Sequence, residues 1–61
     1  MIIKNDAREI EKRLNLDEGS CRHTGNFNFE ATKEYCPVRI FTEPVKDTQD
    51  RIRIKRINFI D

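Results

Sequence analysis

From Arg51 to Lys55 the chain alternates basic and aliphatic residues, with Ile52 and Ile54 set between Arg51, Arg53 and Lys55. A repeat of two puts successive side chains on opposite faces of a strand. This stretch is therefore read as β, one face in a core and the other cationic. The alternation then breaks: Lys55 and Arg56 are adjacent, and Ile57 and Phe59 fall out of step with Ile52 and Ile54. A regular strand would leave Ile57 and Phe59 among the cations, a surface suited to stacking bases and tracking phosphates. A β-bulge at Lys55-Arg56 would instead gather Ile52, Ile54, Ile57 and Phe59 on one face. Arg51, Arg53, Asn58 and part of the Lys55-Arg56 pair would then lie outside. Burying a large apolar side chain stabilises by about 1.5–3 kcal/mol. The bulge is the expected form, with Ile57 and Phe59 in the core.

The chain has 61 residues, which is one domain. At this length folding removes only roughly 60% of the unfolded surface from water, so stability is marginal. Chains of this size often add a disulfide, a metal or a partner subunit, and a homodimer is a reading on size alone. Residues classed as hydrophobic make up 36%, eight of them isoleucine, enough for a small aliphatic core.

The formal net charge is +1. Proteins held to nucleic acid by bulk charge have a pI above about 9, and this chain lies below that at about 7.8. The charge is uneven, however: residues 51–61 carry four bases and one acid. Any electrostatic role belongs to a local patch. No apolar run exceeds three residues, so no membrane span or signal-peptide core is read, and a membrane partner is not expected. The expected location is cytoplasmic, with reduced cysteines.

Upstream, residues 6–15 read as a helix. Asp6 and Glu9 have capping-box spacing, Ala7, Ile10 and Leu14 form a narrow apolar stripe, and Asn15 is a suitable left-handed stop. Two to three turns cannot stand alone, so the stripe must lie on a sheet. Ile2 and Ile3 could form a brief strand or pack beneath the helix. Residues 16–26 read as a connector holding both glycines, with Asp17-Glu18 as solvated loop acids. Strands are expected at 26–32 and 36–42, joined by a polar turn, and at 51–60. The resulting fold class is α+β: one short N-terminal helix packed on a three-stranded antiparallel sheet.

Candidate site residues are few. Arg51, Arg53, Lys55 and Arg56, with Arg22 from the connector, form the candidate surface for a protein partner or nucleic acid. The bland account of these charges is a solvated strand face that deters edge-to-edge aggregation, neutralised in part by Glu30, Glu34 and Glu43. Cys21, His23 and Cys36 are weak zinc candidates: three soft ligands without the usual closely spaced pair. A Cys21–Cys36 disulfide would close a loop of about 15 residues and add about 3 kcal/mol. A Cys–His nucleophile is formally present, but a chain this short offers little material for a substrate cleft.

No cofactor and no enzymatic activity are expected. The leading reading is a small protein-interaction module, such as an inhibitor or a mobile-element accessory protein, acting by occupying a partner's surface. The alternatives are a nucleic-acid-binding regulator and a zinc- or disulfide-stapled module. Exposure of Phe59 beside Arg51 and Arg53 would put nucleic acid first.

Overall fold

The computed structural model describes residues 1–60. The chain runs β1 (Ile2–Lys4), α1 (Ala7–Leu14), β2 (Arg22–His23), β3 (Asn28–Lys33), β4 (Cys36–Pro44) and β5 (Arg51–Phe59). All strands belong to one antiparallel sheet in the order β1-β5-β4-β3-β2. The sheet curls into a half-barrel, with α1 on its inner face.

The α+β class and the single N-terminal helix hold, but the sheet has five strands, not three. Both additions are edges of two or three residues, too short to carry a periodicity of their own. Their partners define them: Ile3 lies opposite Ile52, and Arg22 opposite Glu30.

Helix α1 begins at Ala7 with Asp6 as N-cap in extended backbone, and the Asp6 side chain makes no capping bond. The capping box does not form: the Asp6 amide donates to the Lys4 carbonyl at 2.8 Å, and Glu9 lies 3.5 Å from Arg13 one turn on. The stop at Asn15 is as the sequence indicates, with φ 56° and ψ 48°. Leu16 N–H closes the last turn onto the Glu11 carbonyl at 2.8 Å, an arrangement in which a left-handed residue lets the chain recapture orphan carbonyls.

The apolar stripe of α1 lies against the inner face. Ile10 is fully buried with Ile3, Val38, Ile40 and Ile52, and Phe29, Ala31, Leu16 and Cys21 complete the core. An eight-residue helix is about 12 Å long, whereas a nine-residue strand spans about 30 Å. One such helix cannot cover the whole inner face of β4 and β5, and part of that face stays open.

Candidate interaction surface

The open part is set by the bulge. Phe41 pairs with Arg56 and its neighbour Thr42 pairs with Ile54, so Lys55 is an extra residue without a partner on β4. The register beyond it places Ile57 opposite buried Ile40 and Phe59 opposite buried Val38. The sequence reading of the bulge and of the shared face therefore holds. The expected burial does not: Ile57 is 38% exposed and Phe59 60% exposed. They project from the inner face where, among the described residues, no strand flanks β5 on its other side. Arg51 and Arg53 lie on the other face, so exposed Phe59 does not join them in a mixed cationic and aromatic surface.

The backbone along this segment is open as well. β1 pairs with β5 from Arg51 to Arg53, and its last bond runs from Ile54 N–H to the Met1 carbonyl at 2.8 Å. Farther along, Ile60 N–H donates to the Pro37 carbonyl at 3.0 Å. That bond fixes the phase of the ladder: Arg56, Asn58 and Ile60 turn their peptide groups toward β4, and Ile57 and Phe59 turn theirs away. Among the described residues nothing pairs with that outer side. Residues 55–59 thus form an open sheet edge with two uncovered apolar side chains.

The outer face of the sheet is cationic. Alternation from the buried positions places Lys4, Arg22, Arg39, Arg51, Arg53, Lys55 and Arg56 on it, with the carboxylates of Glu30 and Glu43. Seven cations against two acids leave an excess of five on one face of a chain whose total is +1. Glu30 lies 3.7 Å from Arg22 and 3.5 Å from Arg39, and Glu43 lies 3.6 Å from Arg53. Glu30 and Glu43 thus pair with the cations as the sequence indicates. Glu34 sits instead in the β3–β4 turn. The Arg56 guanidinium stacks on Phe41 at 4.8 Å, a cation–π contact that covers the aromatic ring of this face.

At the Phe59 end of the sheet lies the tip of the β3–β4 hairpin, Glu34-Tyr35. Both residues are left-handed, with φ 51° and 67°, and Tyr35 is 92% exposed. Such a tight turn favours Asn-Gly, because a side chain at positive φ is strained. Asp17 holds it. Its carboxylate accepts from Thr32 Oγ1, Glu34 N–H and Tyr35 N–H. The Thr32 hydroxyl first, and then the two amides, hold its pKa below the ordinary 3.8. Glu11 does similar work from the helix: its buried carboxylate accepts from Gly19 N–H at 3.0 Å and Cys21 N–H at 2.9 Å, shaping the connector. Nothing in the sequence distinguishes Asp17 or Glu11 from a solvated acid. Their partners come from backbone amides that only the fold brings near.

Cys21 and Cys36 are free thiols, one buried and one exposed. Burial first, and then the neighbouring Glu11 and Asp6 carboxylates, push the Cys21 thiol up to about 11. His23 packs edge-on against Phe29 with ring centroids 4.8 Å apart, and its Nε2 lies 3.1 Å from the Asn26 carbonyl. Among the described residues no group of three or more His, Cys, Asp or Glu side chains is placed to hold a metal ion. Within the same residues no helix is long and apolar enough to cross a membrane.

No protein-family model, no curated protein and no solved structure matches this chain.

Proposed function

We propose that this chain is a non-enzymatic protein-interaction module that binds its partner by strand addition along residues 55–59 of β5. One observation carries the reading: Ile57 and Phe59 direct unpaired peptide groups outward while exposing their side chains on the inner face. Backbone bonds at such an edge supply affinity, and the alternate side chains supply specificity. A short chain that caps a partner's strand in this way acts by occupying a surface, which is the mode of a small inhibitor.

Proline at position 57 tests it. The amide of Ile57 faces away from β4, so Ile57→Pro removes an outward donor and leaves the β4 ladder intact, as an edge strand tolerates. Nuclease-treated lysate of the producing organism would be passed over the immobilised wild type and the variant. The expected outcome is a protein partner retained by the wild type and lost by the variant, with the far-UV circular dichroism unchanged. Equal retention by both would refute strand addition.

The cationic outer face supports a second reading, nucleic-acid binding through Arg51, Arg53, Lys55 and Arg56. It ranks second because Arg53 is already paired with Glu43 and the aromatic ring of that face lies under Arg56. Four phosphate contacts would give a log–log salt slope of roughly −3 to −4 on duplex DNA. Absence of any mobility shift at low salt eliminates this reading.

A further inference from the structure

We infer that the occupant of the β5 edge is an extended acidic segment of a partner protein, with apolar residues at alternate positions and carboxylates between them. The inference rests on the strand-addition reading and adds the chemistry of what is added. A strand laid against residues 55–59 shares the pleat of β5, so its side chains fall alternately on the two faces. Those level with Ile57 and Phe59 reach the open inner face, where two exposed apolar side chains await cover. Those level with Arg56 and Asn58 reach the outer face, which carries the excess of cations.

Charge selects among occupants. Residues 55–60 carry Lys55 and Arg56 and no acid. Opposite charges across a strand pair stabilise it and like charges destabilise it. A second copy of this chain would add its own Lys55 and Arg56 to the same edge, and residues 55–60 of that copy bring no carboxylate to meet them. An acidic segment meets the same edge with complementary charge, which also speeds encounter and excludes basic competitors. Space is sufficient: five residues of edge span about 17 Å, enough for a segment of similar length. Such a segment, running antiparallel, would lie end to end with β1, which already occupies the first part of the same edge.

The test uses three synthetic peptides of about seven residues, a length matched to the edge. One alternates valine with glutamate, one alternates valine with lysine, and one holds the valine and glutamate of the first in two blocks. Binding to the full chain and to Ile57→Pro is followed by titration calorimetry at low and moderate salt. Sedimentation equilibrium reports the state of the free chain. The alternating acidic peptide is expected to bind at least about ten-fold more tightly than either other peptide, a difference of about 1.4 kcal/mol. Its binding should weaken with salt and be lost in Ile57→Pro.

If the basic peptide binds as well, and Ile57→Pro abolishes its binding, strand addition survives and the acidic occupant is wrong. Acidic binding indifferent to Ile57→Pro overturns strand addition itself. A stable dimer that no peptide displaces makes a second copy the occupant and overturns the inference, as does a monomer that binds none of the three.

Discussion

The Asp17 carboxylate accepts a hydrogen bond from Tyr35 N–H at 2.9 Å, tying the segment after α1 to the tip of the β3–β4 hairpin. A left-handed tyrosine is costly, and a fixed acceptor for its amide is the kind of surrounding constraint that lets the conformation persist.

This contact makes acid stability depend on Asp17. Its native pKa lies below 3.8, so the unfolded state binds the proton more readily. The carboxylate contributes its stability above 3.8, and the contribution is lost as pH falls through the lowered native value. In Asp17→Asn the decline of urea midpoint between about pH 5 and pH 2 should be shallower than in the wild type. Identical slopes would show that Asp17 does not set the acid limb.

Replacing Glu34-Tyr35 by Asn-Gly relieves two left-handed side chains. Each costs up to about 1–2 kcal/mol in that region, offset in part by the added freedom of glycine when unfolded. A net gain of about 1 kcal/mol is expected in denaturant melts. A loss would show that the tyrosine makes contacts that outweigh the strain.

Glu11 is buried with two backbone amides as its donors. In Glu11→Ala, Gly19 and Cys21 keep their amides but lose the acceptor, and the connector loses its anchor. Hydrogen bonds to a charged group contribute about 1.5–3 kcal/mol each, so the variant should lose at least about 2 kcal/mol in chemical denaturation.

Ile40→Ala and Phe59→Ser separate core from surface on the same inner face. The first empties a fully buried site and should cost about 2–5 kcal/mol, enough to unfold a small domain. The second should cost less than about 1 kcal/mol, because Phe59 is exposed and surface changes have small effects. A large loss in Phe59→Ser would place that ring in the core after all.

Thiol labelling distinguishes the cysteines. At pH 8 an aromatic disulfide reagent should modify exposed Cys36 at once. Buried Cys21, with its pKa near 11, should react only as the protein unfolds. Two fast thiols would contradict the buried placement.

How much of this was legible depended on whether a residue's role is local. The bulge at Lys55 could be read because a break in alternation is a statement about faces, which sequence records directly. The left-handed Asn15 stop was legible from residue type, because asparagine tolerates that backbone at a helix end. The exposure of Ile57 and Phe59 was not, because it depends on which strands flank β5 in the sheet. Glu9 spaced for a cap turned to Arg13 instead, a competition between neighbours of similar strength. β1 and the anchoring by Asp17 depend on partners that lie far along the chain, and β2 is too short to carry a periodicity of its own. The cationic surface was legible in part: Arg51, Arg53, Lys55 and Arg56 stood out, but their company with Lys4, Arg22 and Arg39 required the strand order.

That strand order has a consequence for how the chain acquires its structure. β1 pairs with β5 and not with its neighbours in sequence, so Ile3 finds Ile52 across all the intervening elements. On a ribosome, residues 2–4 must wait for residues 51–53 to emerge before their pairing exists. The β3–β4 hairpin can close early on local contacts, whereas the N-terminal strand and its helix dock late, and non-local pairing of this kind slows folding. Truncation within β5 should therefore release the opposite end of the molecule.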